Sequence, residues 1–310
     1  MTDTGLDAVT GAFSYSGRAI AAALAGEGRR IRTLTGHPER APEGTGIEVR
    51  PLDFDDPVRL AASLQGVTTL YNTYWIRFAH GRADHEVAVA NSRTLFAAAH
   101  RAGVRRIVHV SITNPSIESP FPYFRGKAMV ERALAETAGS FAIVRPAVIF
   151  GGDGVLLNNI AWLLRRFPIF PVGGDGGYRL RPVHVDDLAR LCVRLGAESS
   201  DTVVDAVGPD RPTFRQMVEM IGDAIGHRRP IVPVPPLAVP LLASVVGLAV
   251  SDVVLTRDEY FAMAGGLADT DGEATAPTRL SEWLAANGAD LGTGYANELV
   301  RHFERRDRAR

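Results

Sequence analysis

Short apolar runs alternate with helical segments along the first half of the chain, and this alternation constrains the fold more than any other feature. The apolar runs occupy residues 8–10, 30–35, 47–52, 67–72, 107–111 and 141–145. Strands separated by helices favour a parallel sheet, because parallel neighbours need a crossover connection that is usually a helix. We therefore expect an α/β fold with a doubly wound parallel sheet, which binds its ligand at the carboxyl ends of the strands.

A glycine-containing turn follows the first strand and opens a helix, and the Ala-rich segment 18–27 has helical composition. Gly11 suits a tight turn and Gly17 suits close packing of the helix on the sheet. Because the first N–H groups of a helix attract a pyrophosphate, the turn predicts a Rossmann-type dinucleotide site. Ser14 stands where glycine is usual, and its hydroxyl would cap the helix or touch a phosphate while narrowing the gap. The predicted contacts here are Gly11, Phe13, Ser14, Tyr15, Ser16 and Gly17.

The end of the second strand bears on the choice between NAD(H) and NADP(H). NAD enzymes usually place an acidic residue at this strand end, where it holds the ribose diol. This chain has Thr35 there, followed by His37 and Arg40. Such side chains suit a 2′-phosphate, so the pattern favours NADP(H), and NAD(H) is the alternative.

Tyr123 and Lys127 lie four residues apart in a segment with helical composition, so they share one helix face. A tyrosine phenol titrates at about 10, and a neighbouring ammonium stabilises the phenolate. The pair would pass a proton to or from a carbonyl or alcohol while hydride moves. Ser111 and Thr113 follow the fifth strand and would hydrogen-bond the reacting oxygen, with Thr113 expected to lie further out toward the cleft.

The order of these motifs resembles the extended or atypical short-chain dehydrogenases/reductases. Within this group, the sequence pattern most resembles that of NAD(P)-dependent epimerase/dehydratase-like proteins, in the branch that includes the complex I accessory subunit and NmrA-like proteins. The resemblance covers residues 7–225. The matching residues are Val9-Thr10-Gly11-Ala12 with Gly17, Asp53, Asn91, Ser111 and Thr113, Tyr123 and Lys127, 145–151 and 182–189.

The resemblance implies the remaining cofactor contacts. It places Asp53 near the adenine and the 72–74 segment along the cofactor, and it gives Asn91 a structural hydrogen bond. It implies that the 184–187 segment anchors a second lobe. The implied cofactor residues are Asp53, Phe54, Asn72, Thr73, Tyr74, Ser111, Tyr123, Lys127, Pro146 and Val148.

The composition of the sequence changes after residue 150, where Gly-rich and Pro-rich segments interrupt the alternation of strands and helices. We expect a dinucleotide-binding Rossmann domain over residues 1–150, with returning elements at 180–210, and a smaller C-terminal substrate lobe over 151–310. The apolar stretch 237–250 predicts a buried helix or pocket wall, and the wider apolar segment 230–255 indicates an apolar or aromatic substrate. It is short for a bilayer span, and contact with a membrane surface is the alternative.

Composition excludes several partners. The formal net charge is −1, so no overall field favours nucleic acid. Cys192 is the only cysteine, which excludes an internal disulfide and a cysteine-based metal site, and we expect no metal. A single cysteine fits a reducing compartment. With no signal peptide recognisable near residue 1, we expect a cytoplasmic location.

The sequence thus predicts an NAD(P)-dependent oxidoreductase that acts on a small, apolar carbonyl or alcohol with Tyr123 as acid/base. A non-catalytic NAD(P)-binding redox sensor or scaffold is the first alternative, which Ser14 favours. An epimerase or dehydratase acting on a nucleotide sugar is the second, and Leu180 argues against it, because such enzymes often carry arginine there. The resemblance also allows a homodimer through the helices at 84–102 and 123–137.

Overall fold

The computed structural model describes residues 5–79, 81 and 83–302. Its strands are β1 Leu6–Thr10, β2 Arg30–Thr35, β3 Glu48–Pro51, β4 Val67–Asn72, β5 Arg106–Val110, β6 Phe141–Pro146, β7 Val148–Phe150, β8 Phe170–Gly173, β9 Pro182–His184, β10 Thr202–Ala206 and β11 Ile231–Val234. Its α-helices are α1 Tyr15–Gly26, α2 Pro57–Ser63, α3 His85–Arg101, α4 Pro122–Thr137, α5 Val155–Arg166, α6 Val185–Gly196, α7 Phe214–Ala224, α8 Ala238–Val250, α9 Arg257–Ala264, α10 Leu280–Asn287 and α11 Glu298–His302.

The chain forms two compact units. Among the described residues, the first unit runs to Pro146 and resumes over Val185–Ala206, and the second comprises Ala147–His184 and the residues from Val207 onward. The first unit therefore contains β1–β6, β10, α1–α4 and α6.

The sheet of the first unit has seven strands in the order β10–β6–β5–β4–β1–β2–β3, and every neighbouring pair is parallel. The strand order reverses between β1 and β4, which marks the switch point where doubly wound sheets bind ligands. The predicted Rossmann-type, doubly wound parallel sheet is confirmed.

Helix α1 begins earlier than its composition suggested, at Tyr15 rather than Arg18. Ser14 N donates to Gly11 O at 2.8 Å, and Arg18 N donates to Ser14 O at 2.8 Å. Helical hydrogen bonding therefore starts directly at the glycine turn. The strands β2 and β4 have the predicted bounds.

Aliphatic side chains from both faces of the sheet form the core of the first unit. Leu34, Leu70, Leu95 and Leu134 are fully buried. On one face, α6 packs against α1. Cys192 lies on the inner side of α6, and burial raises the pKa of its thiol to about 12, which fits a small core residue rather than a reactive one.

The second unit contains two parallel strand pairs, β7 with β9 and β8 with β11, with α5, α7 and α10 around a separate core. His184 closes β9, and its ring contacts Phe150 and Trp283, with centroids 5.2 and 6.0 Å away. A Cβ at Gly151, where φ is +108°, would lie 2.5 Å from His184 Nε2. This glycine makes room for the histidine ring.

The expectation of a buried helix at 237–250 is wrong. Of the residues in α8, only Gly247 is buried, whereas Leu241 is 69% exposed and Leu248 is 84% exposed. The helix meets mainly β8 and α9, so its apolar composition exceeds what these neighbours cover. Over residues 5–79, 81 and 83–302, no helix combines the length and the apolar character that crossing a membrane requires.

Candidate functional site

Most predicted site residues lie along one edge of the sheet in the first unit. Gly11 follows β1, Thr35 ends β2, Asp53 follows β3, Asn72 ends β4 and Ser111 follows β5. Parallel strands bring these ends to the same edge. Pro146 ends β6 in the same unit, whereas Val148 begins β7 in the second unit, so the predicted contacts are divided between the two units.

The glycine turn has the backbone geometry that its sequence predicts. Gly11 has φ +65°, and a Cβ at Gly17 would lie 2.1 Å from Gly11 O, so both positions require glycine. The expected helix cap by Ser14 is wrong, because its hydroxyl donates to Gly11 O at 2.6 Å and bonds no N–H of α1. The serine hydroxyl is therefore folded back into the turn. Phe13 lies within this turn, and Tyr15 and Ser16 begin α1.

A short 3₁₀ turn, Pro38–Arg40, follows β2. His37 N donates to the Thr35 hydroxyl at 3.0 Å, and His37 Nδ1 lies 3.2 Å from Glu39 Oε1. An acidic side chain therefore lies beside the residues predicted to favour a 2′-phosphate. The sequence pattern missed it, because Glu39 comes four residues after the last residue of β2.

Two aromatic rings lie together beyond β3 and β4. Phe54 and Tyr74 have ring centroids 4.8 Å apart, and Asn91 Nδ2 on α3 donates to the Tyr74 hydroxyl at 2.8 Å. Asn91 thus makes the structural hydrogen bond that the resemblance implied. Asp53 Oδ1 accepts from Asp55 N at 3.2 Å, which orders the loop after β3.

A buried polar network ties together the ends of β1, β4 and β5. The Thr10 hydroxyl accepts from Thr73 N at 2.7 Å and Tyr74 N at 3.2 Å, and it donates to Asn72 Oδ1 at 3.1 Å. Asn72 Nδ2 donates to His109 Nδ1 at 3.0 Å, which leaves the ring proton on Nε2. Burial, followed by the nearby Lys127, lowers the pKa of His109 well below its usual range, so this ring is neutral.

Lys127 reaches from α4 to the end of β5. Its side chain is buried, and Nζ donates to Val110 O at 2.9 Å, one residue before Ser111. Burial lowers the pKa of Lys127 to about 7. Tyr123 lies one turn earlier on α4, so the predicted pair stands at the edge where β5 ends.

Aromatic rings surround this pair. The Trp75 ring centroid lies 4.7 Å from Lys127 Nζ and 5.6 Å from the Tyr123 ring, edge to face. His85 stacks on Trp75 at 5.8 Å and meets Tyr123 at 5.7 Å. A Cβ at Gly126 would lie 2.9 Å from Trp75 Cη2, so this glycine makes room for the indole.

Ser111 and Thr113 continue along β6 beyond the end of β5. Ser111 N donates to Val144 O at 2.7 Å, and Thr113 N donates to Pro146 O at 3.1 Å. Both side chains are buried, because the contacts with β6 hold the segment inside the protein. That Thr113 lies further out toward the cleft stays a prediction. The Ser111 Oγ atom is buried and has no hydrogen-bond partner within the described residues.

Trp75, His85, Gly126 and the network through His109 were not predicted from the sequence. The composition offered a signal for Lys127 alone, which is the only lysine in the chain, among 34 lysines and arginines. Unlike arginine, which stays charged in proteins, a lysine can lose its proton when it is buried. In the described part of the chain, no cluster of three or more His, Cys, Asp or Glu could hold a metal ion.

Comparison with known proteins finds NAD(P)-binding relatives. Residues 11–158 match a family model described as NAD(P)H-binding. The chain is 26% identical over 232 residues to NADH dehydrogenase (ubiquinone) 1 alpha subcomplex subunit 9, mitochondrial, of Arabidopsis thaliana. These matches support a relationship to the extended, short-chain-dehydrogenase-like NAD(P)-binding proteins. The plant match covers 70% of this chain and 57% of that protein, so the chain spans just over half the length of this relative.

Two solved structures of NAD(P)-binding proteins share the fold. Triphenylmethane reductase from Citrobacter sp., complexed with NADP(H), has a TM-score of 0.75 at 20% identity, covering 92% of this chain and 99% of that one. NADPH-dependent quinone oxidoreductase from Escherichia coli, complexed with NADPH, has a TM-score of 0.74 at 21% identity, covering 91% and 99%. At these identities the likeness establishes the fold.

Proposed function

We propose that the protein is an NADP(H)-dependent oxidoreductase that interconverts a small, planar, apolar carbonyl compound and its alcohol, with Tyr123 as the acid/base. The observation that carries this proposal is the hydrogen bond from Lys127 Nζ to Val110 O, at 2.9 Å. It holds the face of α4 that bears Tyr123 at the end of β5, next to the buried Ser111 hydroxyl.

The residues present fit a nicotinamide dinucleotide. Gly11 and Gly17 leave the close-packed turn that a pyrophosphate needs, and Ser14 turns its hydroxyl onto Gly11 O. Thr35, His37 and Arg40 would face the 2′-phosphate of NADP(H), a preference supported by the two structural neighbours solved with that cofactor. Further along, the 72–74 segment and Pro146 would border the cofactor.

In the reducing direction, a bound nicotinamide would supply the hydride, a hydrogen nucleus with two electrons, that the carbonyl carbon accepts. Tyr123 gives its phenolic proton to the carbonyl oxygen, so the C=O bond becomes an alcohol and the phenol becomes a phenolate. The charged form of Lys127 stabilises that phenolate, which later regains a proton from water. Ser111 donates a hydrogen bond to the carbonyl oxygen and so polarises the bond that is reduced.

The rings of Trp75, His85 and Tyr123 support an apolar, planar substrate. The Trp75 and His85 rings lie beside Tyr123, the proton donor, and aromatic surface of this kind binds flat apolar molecules well. The names of the two structural neighbours point the same way, since one is a triphenylmethane reductase and the other a quinone oxidoreductase. Quinones and aryl ketones are therefore the first substrates to test.

The test measures binding and turnover in the purified full chain. NADPH and NADH binding is measured by calorimetry, and oxidation of the cofactor is followed with quinones and aryl ketones. Tyr123→Phe should lower turnover about 10²- to 10⁴-fold and leave NADPH affinity within about twofold of wild type. The matched control is Tyr178→Phe in the second unit, a ring stacked on Phe214 at 5.3 Å, which should retain turnover.

Three results would count against the proposal. Full turnover by Tyr123→Phe would remove the tyrosine from the mechanism. Tight NADPH binding without turnover of any carbonyl would favour the redox sensor or scaffold. Failure to bind either cofactor would refute the assignment of the glycine turn.

A further inference from the structure

The ammonium of Lys127 is buried without a carboxylate partner. In the part of the chain that the structure describes, no ion pair involves this side chain, and its one hydrogen bond goes to Val110 O. The acid on the next turn of α4, Glu131, is instead held by Arg145 through two hydrogen bonds of 3.0 and 2.5 Å. Burying a charge is costly unless another group compensates it, so a neighbouring group that favours the charged form would offset part of this cost.

The indole of Trp75 is in position to do this. Its ring centroid lies 4.7 Å from Lys127 Nζ, within the range of a cation–π contact, which is strongest for tryptophan and grows when the pair is removed from water. The ring is fixed by contacts with His85 and Tyr123 and by the space at Gly126. The contact is thus set by several packed groups rather than by one flexible side chain.

We propose that Trp75 is a positioning residue for Tyr123 and Lys127, and that its indole face holds the Lys127 ammonium against Val110 O in place of a carboxylate. Its catalytic consequence rests on the proposed function. The contact between the Trp75 indole and the Lys127 ammonium does not depend on that function, because it is present in the protein without substrate.

The other titratable groups around Lys127 do not supply this effect by contact. His109 on β5 is neutral for the reasons given above, and Glu131 acts on Lys127 only through space while bound to Arg145. His85 on α3 contacts the Trp75 and Tyr123 rings. Tyr123 is the proton donor itself. Trp75 is therefore the described side chain that contacts the ammonium and favours its charge.

The composition of the chain allows a direct test. Because Lys127 is the only lysine, the full chain grown with ¹³C-lysine gives a single side-chain Cε resonance, whose shift with pH reports the Lys127 pKa. We expect a midpoint of about 7 for the wild type. Trp75→Leu should move the midpoint down by about one pH unit, as expected when a desolvated cation–π contact is lost. Trp75→Phe should give a smaller shift in the same direction.

Gly126→Ala provides an independent route to the same result. Its Cβ would lie 2.9 Å from Trp75 Cη2 and push the indole away without removing it, so the midpoint should again fall. Gly26→Ala, also in a helix but with no atom within 4 Å of the new Cβ, should leave the midpoint unchanged. An unchanged or raised midpoint in Trp75→Leu would overturn the inference, because it would mean that the indole only keeps water away from the amine.

Turnover separates this inference from the proposed function. If carbonyl reduction is found, the fall of kcat/KM at high pH should move to lower pH in Trp75→Leu by the same amount as the resonance midpoint. A shifted midpoint in a protein without turnover refutes the proposed function and leaves the role of Trp75 intact. Turnover with a midpoint that Trp75→Leu leaves in place refutes the role of Trp75 alone.

Discussion

Replacing Thr10 by valine is expected to loosen the junction between β1 and β4. The Thr10 hydroxyl accepts from Thr73 N and Tyr74 N and donates to Asn72 Oδ1. Valine keeps the shape of the side chain and removes all three hydrogen bonds. The methyl group in place of the hydroxyl lies in an interior where Thr10 is only 1% exposed, so water does not readily replace it.

The size of the effect follows from which atoms lose their partners. Tyr74 N keeps Asn72 Oδ1 as an acceptor at 3.1 Å, whereas Thr73 N loses its one acceptor within the described residues. An unsatisfied buried polar group costs about 1–3 kcal/mol. Because Thr73 is only partly buried, we expect a local cost of about 2 kcal/mol. Thr10→Ser keeps the hydroxyl and loses one methyl group, so it should cost about 1 kcal/mol or less.

The assay is native-state hydrogen exchange of the full chain, followed by mass spectrometry. A global unfolding curve is less suitable, since a chain with two compact units need not unfold in one step. A cost of about 2 kcal/mol corresponds to roughly 30-fold faster exchange in peptides that contain Thr73 and Tyr74. Peptides from β11 in the second unit serve as the internal reference.

The comparison with Thr10→Ser decides the outcome. If both variants exchange at the same rate around Thr73, the hydroxyl is not the acceptor that holds this segment. The reasoning would also fail if Thr10→Val accelerated exchange equally in the β11 peptides, because the effect would then be global rather than local to the β1–β4 junction.

Three further perturbations test other features. Gly17→Ala places a Cβ 2.1 Å from Gly11 O, so NADPH affinity measured by calorimetry should fall at least about tenfold, and unchanged affinity would contradict the assigned cradle. Leu248→Gln, on the exposed face of α8, should change stability by less than about 0.5 kcal/mol, whereas Leu284→Ala in the core of the second unit should cost about 2–5 kcal/mol, both measured by native-state hydrogen exchange in peptides of the second unit. Burial lowers the pKa of Lys127 from 10.5 to about 7. Between pH 7 and pH 10.5 the unfolded chain therefore keeps a proton on Lys127 that the folded chain has lost. Wild-type stability should therefore rise relative to Lys127→Met from pH 7 to pH 10, by up to about 4 kcal/mol, and parallel pH dependence of the two proteins would refute the lowered pKa of Lys127.

The sheet could be predicted from the sequence because its strands are short apolar runs bounded by turn residues and crossovers. The bounds of β2 and β4 agree with their apolar runs to the residue. The start of α1 at Tyr15 did not agree with the expected start at Arg18, because the first turn is set by the hydrogen bonds of Ser14 and Gly11 rather than by side-chain periodicity. The burial of α8 was wrong, because a helix that is apolar on every side carries no information about which neighbours cover it.

The candidate site was predictable in its sequence motifs and not in its surroundings. The spacing of Tyr123 and Lys127 gave their common helix face, and the strand order then brought them to the end of β5. A cation–π contact has no sequence spacing, so Trp75, which follows β4 by three residues, could not be paired with Lys127 from the sequence. His109 likewise looked like part of an apolar strand, and only the strand register places it beside Asn72.

The division of the first unit into two chain segments has a consequence for how it is made. The segment Val185–Ala206 supplies α6, which lies on α1, and β10, which pairs with β6. A gene fragment that stopped at residue 158, where the family match ends, would leave β6 as an open sheet edge and one side of α1 bare, and open edges aggregate. On the ribosome, the glycine turn is translated well before α6, which packs on α1 and emerges only after the segment Ala147–His184 of the other unit. The edge of β6 therefore stays unpaired until synthesis has passed Ala206.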